Sequence, residues 1–290
     1  MRVSILRATG QTGSVIVDAL LTSTIPKLCD MVALIRPSSI QKTAVVDLKR
    51  KGVSIVEADL SGPEAALTQA LAGTDVVIST IYGGSLMDEI PLINASKAAG
   101  AKRYLPCFFA TVAPPKGALR LRDMKEYVLN HIKKIHLPFT VVDFGWWFQT
   151  ADDIAGDGNV PFALTDVRDA GNHVARIIAD PRTLNRRIFA YNEVMTQNQV
   201  YDLLERLSGE TLERKYYQYW YSCGVRGDNT PEYAAYLGYL STHELYPNAQ
   251  WRSFKSYVQE VLEGKGKRAY EHLKDLPAVS AEKEAETTDA

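Results

Sequence analysis

A turn with two glycines, placed between a strand pattern and a helix pattern at the start of the chain, limits the folds open to this sequence. The apolar strand pattern covers Val3–Leu6, and helical spacing of apolar residues covers Thr12–Leu21. Between them the chain reads Ala-Thr-Gly-Gln-Thr-Gly, with glycines at Gly10 and Gly13. Such glycines let the backbone approach a pyrophosphate and let the helix pack on the strand. The pattern predicts a dinucleotide-binding βα unit whose helix N-terminus faces the phosphates, the alternative being an ordinary tight turn.

Arg7 stands where the first glycine of such a fingerprint is usually found. Its side chain must either swing toward the phosphates or lie across the ribose pocket. In the first arrangement the side chain adds a contact to the phosphates of the cofactor. In the second it fills the cofactor site. We favour retained binding, because the other cofactor positions are intact.

Short apolar segments and helical patterns alternate through the first half of the chain. The further predicted strands are Met31–Ile35, Val53–Val56, Asp75–Ser79, Arg103–Leu105 and Phe139–Val142. The further predicted helices are Glu89–Ala99 and Arg122–Ile135. Apolar strands joined by helices indicate a parallel sheet covered on both faces. The sequence therefore predicts the α/β class, with a doubly wound parallel sheet of the Rossmann type.

The pattern loosens after Gly145, where aromatic residues accumulate. We predict a nucleotide-binding domain over residues 1–150 and a smaller, aromatic-rich, substrate-binding part over residues 151–276. Residues 277–290 are rich in Ala, Glu and Thr and contain no aromatic residue, which is typical of a disordered tail.

Residues at the ends of the predicted strands indicate which cofactor binds. Arg36 follows the second strand, where an acidic residue would select NAD and an arginine suits the 2′-phosphate of NADPH. Asp59, which closes the third strand, would flank the adenine. The segment Ser79–Ile81 closes the fourth strand and would run beneath the pyrophosphate and the nicotinamide ribose. A single arginine after a strand can also be a solvated loop charge, so the NADPH prediction depends on the glycine turn.

Composition excludes several classes of function. The net charge of −1 gives no general attraction to nucleic acid, and no apolar run reaches the roughly 18 residues that span a membrane. Three scattered cysteines argue against a disulfide framework, and the five histidines lack metal-ligand spacing. We expect a cytoplasmic protein with no metal, no nucleic-acid partner and no membrane segment, which binds a small molecule and can form a homodimer.

The run from Leu92 to Pro106 contains a helix, Ala-Gly-Ala-Lys-Arg, a strand and a proline. Together with Ala-Thr-Gly-Gln-Thr-Gly, Leu-Ile-Arg and Ala-Asp-Leu, it resembles the NmrA-like and isoflavone-reductase-like branch of the atypical short-chain dehydrogenases. The resemblance spans residues 1–265, and Thr165–Asp169 and Leu245–Pro247 are similar to later landmarks of fungal members. It implies a cytosolic reductase that uses NADPH on aromatic or polyketide-like metabolites, or a regulator that binds NAD(P) without turnover.

Lys125 lies where the resemblance places the branch's active-site lysine. The residue four positions earlier is Leu121, so the Tyr-Lys pair of classical short-chain dehydrogenases is absent, as expected for this branch. A lysine near the nicotinamide can hold ribose hydroxyls and stabilise or protonate an oxyanion. From spacing alone it could equally be a surface lysine on an amphipathic helix. The residues predicted to bind the cofactor are Arg7, Thr9, Gly10, Gln11, Thr12, Gly13, Arg36, Asp59, Ser79, Thr80, Ile81 and Lys125.

Aromatic residues follow the sixth strand and crowd the second half of the chain. Ligand pockets are mostly apolar and aromatic, so a set of rings at the ligand edge indicates a flat, hydrophobic substrate, polycyclic or indole-like. The family's Pro-Ser-Glu-Phe-Gly stretch reads here Pro-Cys-Phe-Phe-Ala, which replaces polar residues by apolar ones. Any one ring could instead belong to the core or to a dimer surface. The residues predicted to contact substrate are Cys107, Phe108, Phe109, Trp146, Trp147, Phe148, Tyr219 and Trp220.

Three functions remain open from the sequence. The first is an NADPH-dependent reductase of a hydrophobic aromatic, polyketide-like or indole-alkaloid-like secondary metabolite, with Lys125 handling the proton. The second is a cyclase or isomerase without net redox, favoured by Arg7 and the apolar Cys107–Phe109 stretch. The third is a redox sensor that binds NADP and a protein partner. Asp169 is expected to cap a helix over residues 170–178.

Overall fold

The computed structural model describes residues 1–24, 30–150, 157–211 and 221–265. The strands are β1 (Arg2–Leu6), β2 (Asp30–Ile35), β3 (Ser54–Glu57), β4 (Val76–Ser79), β5 (Arg103–Leu105), β6 (Thr140–Phe144), β7 (Trp146–Trp147), β8 (Pro161–Thr165), β9 (Arg186–Ala190), β10 (Glu193–Thr196) and β11 (Tyr239–Ser241). The helices are α1 (Gln11–Thr22), α2 (Thr43–Arg50), α3 (Glu64–Ala70), α4 (Ile90–Ala98), α5 (Arg120–Lys134), α6 (Val167–Ala179), α7 (Gln197–Ser208), α8 (Pro231–Tyr236), α9 (Thr242–Leu245) and α10 (Phe254–Leu262).

The first five strands form one parallel sheet in the order β3-β2-β1-β4-β5. Apolar side chains of β1, β2 and β4 are buried on both faces, as expected for strands between two layers of helices. The chain reverses its direction of winding next to β1, and ligands of such sheets bind at the carboxyl ends of the strands near this point. The predicted α/β fold is present, with strand limits within about two residues of the predicted ones.

The predicted sixth strand lies beside this sheet and leads into a second one. A single parallel bridge between Tyr104 and Phe139 connects it to β5, and β6 then pairs in parallel with β9. The order of this second sheet is β11-β9-β6, and a third sheet has the order β10-β8-β7. Strand β7 begins two residues after β6 ends, so the chain passes from one sheet to another at Gly145.

Helix α6, from the second half of the chain, packs directly on α1. Gly171 makes this close approach possible, because a Cβ there would lie 2.2 Å from the carbonyl oxygen of Val15. Ala170, Val174 and Ile177 belong to the same hydrophobic core as the first strand. Residues beyond 150 therefore complete the core of the nucleotide-binding half, and the domain limits at 150 and 276 stay predictions.

The expected cap of this helix is wrong by three residues. Asp166 caps α6 and accepts a hydrogen bond from the backbone N–H of Arg168. Asp169 lies in the first turn of the helix, buried, and accepts from Asn192 Nδ2 at 2.7 Å and from the backbone N–H of Arg252 at 2.8 Å. Its carboxylate thus joins α6 to the segment that leads into α10.

None of the helices described is both long and apolar enough to cross a membrane. The tail predicted over residues 277–290 lies outside the described residues.

Candidate active site

Two neighbouring cavities of about 690 and 640 Å³ lie at the carboxyl edge of the parallel sheet. The loops that follow β1 and β4 line both of them, and Arg7, Thr9 and Ile81 lie on the wall that the cavities share. The larger cavity continues past Lys125 to Trp146 and Trp147, and the smaller one follows the ends of β2 and β3. The cleft therefore runs across the sheet where α/β folds of this topology bind ligands.

The turn between β1 and α1 forms the middle of the cleft. Gly10 is the N-cap of α1 and supplies no side chain, and the first turn contains no acidic residue. A Cβ on Gly13 would lie 2.3 Å from the Arg7 carbonyl oxygen and 2.8 Å from Thr80 Oγ1. Because the first backbone N–H groups of a helix have no intrahelical acceptor, this glycine-lined turn fits a diphosphate. Gly10, Gln11 and Thr12 line the larger cavity, whereas Gly13 supports it by close packing.

Arg7 adopts a left-handed backbone conformation, with φ of +58°. This conformation favours glycine, and it keeps the turn in the shape that the fingerprint glycine would give. The Arg7 side chain is exposed and lies on the wall between the two cavities, both of which remain open beside it. The geometry therefore agrees with retained binding.

Positive and hydroxyl groups gather at the far end of the smaller cavity. Arg36 follows β2, and its Nε donates to Ser39 Oγ at 2.9 Å. Lys42 lies on the same wall. Asp59 accepts hydrogen bonds from the hydroxyl and the backbone N–H of Ser61, which lower the pKa of its carboxyl. Arg36 and Asp59, both predicted to bind the cofactor, thus lie on the wall of one cavity.

Ser79 was predicted to line the cleft, but it does not. Its side chain is completely buried behind the sheet edge, near Glu89, whereas Thr80 and Ile81 line the larger cavity. Side chains alternate across a strand, so neighbouring residues at its end face different sides. Thr80 donates its hydroxyl to the Leu6 carbonyl oxygen at 2.9 Å and so ties β4 to the glycine turn.

Lys125 lies on the wall of the larger cavity, and only 4% of the residue is exposed. Its Nζ donates to the carbonyl oxygens of Cys107 and Phe108, both at 2.5 Å. Burial lowers the pKa of this lysine. The alternative of a solvated surface lysine is therefore wrong. An ammonium has three N–H bonds, and two of these are held by the carbonyls, which leaves one for a ligand.

A network of buried and partly buried charged side chains lies behind the lysine. Arg122 lies one turn earlier on α5 and binds Asp143 of β6. Arg187 of β9 binds Glu126 and also donates to the hydroxyl of Tyr239. The cations of Arg122, Lys125 and Arg187 lie 5.2, 5.7 and 5.8 Å from the centre of the Phe108 ring. Phe108 is thus both part of the cavity wall and the apolar centre of this network.

The aromatic residues after β6 divide between the cavity and the core. Phe109, Trp146 and Trp147 line the larger cavity, and Phe144 packs between Phe109 and Trp147 with ring centres 5.9 and 5.2 Å away. Phe148 was predicted to contact substrate, but it does not line the cavity. It is 3% exposed and packs edge-on against the ring of Phe254, because β7 ends just before it and the chain turns into the core.

Cys107 lines the larger cavity, and its side chain is held as a hydrogen-bond donor. Its thiol donates to the Ile81 carbonyl oxygen at 2.9 Å, and burial raises the pKa of the thiol to about 11. Tyr219 and Trp220, which were also predicted to contact substrate, lie outside the described residues.

Several wall residues and one buried acid were not predicted. The additional residues that line the larger cavity are Tyr82, Gly83, Ala110, Thr111, Leu119, Leu121, Gly145, Ser222 and Cys223. Glu89 lies behind this wall, completely buried. A glutamate just before a helix is normally a solvated residue that favours the helix dipole, so the sequence carries no signal of its burial.

The comparisons with known proteins decide the family. The model described as the NmrA-like family matches residues 1–220. Asnovolin J 5',6'-dehydrogenase of Aspergillus novofumigatus (strain IBT 16806) is 42% identical over 315 residues, which cover 91% of this chain and 96% of that protein. The chain belongs to the NmrA-like family. The bifunctional pinoresinol-lariciresinol reductase 3 of Thuja plicata is 29% identical and covers 90% of this chain and 98% of its own length.

Solved structures show the same fold. The NADPH complex of leucoanthocyanidin reductase from Vitis vinifera matches with a TM-score of 0.80 at 23% identity, over 91% of this chain and 100% of that one. An isoflavone reductase matches with a TM-score of 0.77 at 23% identity, over 90% and 99%. The predicted fold class and the predicted membership of the isoflavone-reductase-like branch are confirmed, and the predicted enzyme class and cofactor agree with these relatives.

Proposed function

We propose that the protein is an NADPH-dependent reductase of a hydrophobic aromatic metabolite, of the polyketide-like or indole-alkaloid-like kind. The observation that carries the proposal is the position of Lys125, buried in the wall of an aromatic cavity that continues to a diphosphate-binding turn. Its relatives are named as reductases and a dehydrogenase, which agrees with this assignment.

The residues of the cleft match the parts of the cofactor in order. Arg36, Ser39 and Lys42 suit a 2′-phosphate, and the N-terminus of α1 suits the diphosphate. Arg7 would add a cation beside the diphosphate from the wall that the two cavities share. When bound, NADPH supplies a hydride to the substrate.

Lys125 would handle the proton of the reaction. Its two N–H bonds to Cys107 and Phe108 fix the head group, so the third is the one that can reach a substrate oxygen or a ribose hydroxyl. After giving up that proton, the neutral amine keeps both bonds to the carbonyls, and the head group need not move. The pKa lowered by burial makes this transfer easier than it would be for a solvated lysine.

The cavity walls indicate the kind of substrate. Apolar surface covers the part of the larger cavity beyond the glycine turn, as is typical of sites for small organic molecules; it comes from Leu119, Leu121, Phe109, Trp146 and Trp147. Cys107 and Phe108 stand where the family motif has the polar residues Ser and Glu. A flat, mainly apolar molecule with a single oxygen near Lys125 fits this wall best.

A second candidate is a cyclase or isomerase on the same scaffold with no net redox. The apolar Cys107–Phe109 stretch favours it, because apolar walls can hold a substrate in the shape for ring closure. The two functions differ in whether NADPH is consumed. The cytoplasmic location, a homodimer and the lack of a nucleic-acid partner stay predictions.

The test compares Lys125→Met with Lys134→Met, an exposed lysine on the same helix. NADPH binding is followed by fluorescence, and turnover by loss of nicotinamide absorbance with a panel of aromatic and polyketide-like metabolites. We expect Lys125→Met to lower turnover by a factor of about 100 or more and to change NADPH affinity only a few-fold. Lys134→Met should change neither.

Two results would overturn the proposal. Failure of the wild-type protein to bind NADPH at millimolar concentration removes the reductase, and an unchanged rate in Lys125→Met removes the assigned role of the lysine. Conversion of a metabolite at constant NADPH absorbance would favour the cyclase.

A further inference from the structure

Glu89 is a completely buried carboxyl at the end of the kinked 3₁₀ segment Gly83–Glu89, just before α4. Its Oε1 accepts the Tyr104 hydroxyl at 2.9 Å and the backbone N–H of Cys107 at 3.2 Å. Within the described residues, its Oε2 and the neighbouring Ser79 Oγ are buried without a hydrogen bond of normal geometry. An acid that is kept in such a place, at the cost of desolvation, needs an explanation.

Cys107 connects this carboxyl to the lysine of the active site. The N–H of Cys107 donates to Glu89, and the carbonyl oxygen of the same residue accepts from Lys125 Nζ at 2.5 Å. The side chain of Cys107 is also fixed, through its bond to Ile81. Glu89 and Lys125 thus hold the same residue from two sides, so a change at Glu89 acts on the acceptor that positions the ammonium.

The other charged groups behind the cavity, which are buried or partly buried, are already paired with one another. Arg122 binds Asp143 at 3.0 Å, and Arg187 binds Glu126. The charges of these two cations and two carboxylates therefore cancel, and none of the four groups is the ion-pair partner of the Lys125 ammonium. In the described part of the chain, Glu89 is the buried acid close to Lys125 that no arginine binds.

We propose that Glu89 is the counter-ion and positioning residue of Lys125: its carboxylate fixes the Cys107 peptide that binds the ammonium, and its negative charge favours the protonated lysine. The proposal goes beyond the reductase assignment and rests on it only for the role of Lys125 in turnover.

The expected pH dependence follows from burial of both groups. Burial raises the pKa of Glu89 to about 7 and lowers the pKa of Lys125. Above pH 7 the carboxylate is charged and opposes loss of the lysine proton. The groups that face Glu89 are Ser79, Tyr104, Cys107 and Lys125, and those that face Lys125 are Glu89, Cys107, Arg122 and Asp143.

The test is the titration of Lys125 in the protein without cofactor, followed by NMR of lysine labelled with ¹³C at Cε. Lys125→Met assigns the signal. Glu89→Gln keeps an oxygen acceptor for Tyr104 and Cys107 and removes only the charge, so we expect the midpoint of Lys125 to fall by about one pH unit. Glu64→Gln, the same substitution at an exposed glutamate of α3, should leave the midpoint unchanged.

Tyr104→Phe provides a second variant in case Glu89→Gln does not fold. It removes the hydroxyl that stabilises the carboxylate, so Glu89 ionises less readily and the Lys125 midpoint should shift in the same direction by a smaller amount. Equal Lys125 midpoints in the wild type and in the folded variants would overturn the proposal.

The two proposals can fail separately. A shifted midpoint together with an unchanged rate in Lys125→Met would retain the counter-ion and reject the lysine's role in turnover. An unshifted midpoint together with a large loss of rate in Lys125→Met would do the reverse.

Discussion

Arg122 and Asp143 form a two-pronged ion pair directly behind the cleft, with Nη1–Oδ2 and Nη2–Oδ1 distances of 3.0 and 3.1 Å. Their side chains are 1% and 0% exposed, and the hydroxyl of Tyr239 donates to the same carboxylate at 2.6 Å. The pair joins α5, β6 and β11, and α5 is the helix that carries Lys125. Because both side chains are buried away from water, the stability of this region depends on the presence of both charges.

Asp143→Asn should destabilise the protein by about 3 kcal/mol, because it leaves the Arg122 guanidinium buried without its counter-charge. Urea unfolding measures the loss. Asp47→Asn is the matched control, since it breaks an ion pair to Arg50 in which both side chains are at least half exposed, and it should cost under about 1 kcal/mol. Similar losses in the two variants would contradict the structural account.

Arg36→Ser should weaken NADPH binding by about ten-fold or more and leave NADH binding nearly unchanged. The reason is that a charge-assisted hydrogen bond to the 2′-phosphate is lost, and NADH has no such group. Fluorescence titration with both cofactors gives the ratio. Lys49→Ser, an exposed lysine on α2, is the control for net charge. An equal loss for NADH and NADPH would mean that Arg36 does not read the 2′-phosphate.

Arg7→Gly separates the backbone of Arg7 from its side chain. Glycine accepts the φ of +58° without strain, so the melting temperature should change little, while loss of the cation should weaken NADH and NADPH binding equally, by about five-fold or more. The equal effect on the two cofactors distinguishes it from Arg36→Ser. Tighter binding after the substitution would show that the arginine obstructs the cleft.

The pH dependence of stability should reveal Glu89. Its pKa is raised from 4.5 to about 7 in the folded protein, so the folded state holds this proton more tightly than the unfolded state. That contribution is fully present below pH 4.5 and is lost as the pH rises through 7. It corresponds to about 3 kcal/mol for a shift of this size. Glu89→Gln should lack this fall in unfolding free energy, measured with urea between pH 4.5 and 8. Parallel pH curves for the two proteins would count against a raised pKa.

Features that depend on local backbone geometry could be predicted from the sequence. The glycine turn before α1 and the apolar strands can be recognised from a few consecutive residues, because each is determined by the residue types in a short segment. Lys125 could be found only through the family resemblance. Its spacing on the helix is the same for a solvated lysine as for a buried one.

Features that depend on distant contacts could not be predicted. Phe148 was expected in the cavity, and it lies in the core because Phe254, far along the chain, covers it. Asp169 was expected as a helix cap, and it is instead held by Arg252 and Asn192. The burial of Glu89 likewise depends on Tyr104 and Cys107, which belong to another strand and its loop.

The contact between α1 and α6 at Val15 and Gly171 bears on the order in which the protein is made. The helix whose first amides meet the diphosphate is among the earliest segments to leave the ribosome, yet its supporting surface arrives only with Val167–Ala179. A nascent chain that ends before Val167 should not be stabilised by nucleotide, whereas a chain that extends past Ala179 should be.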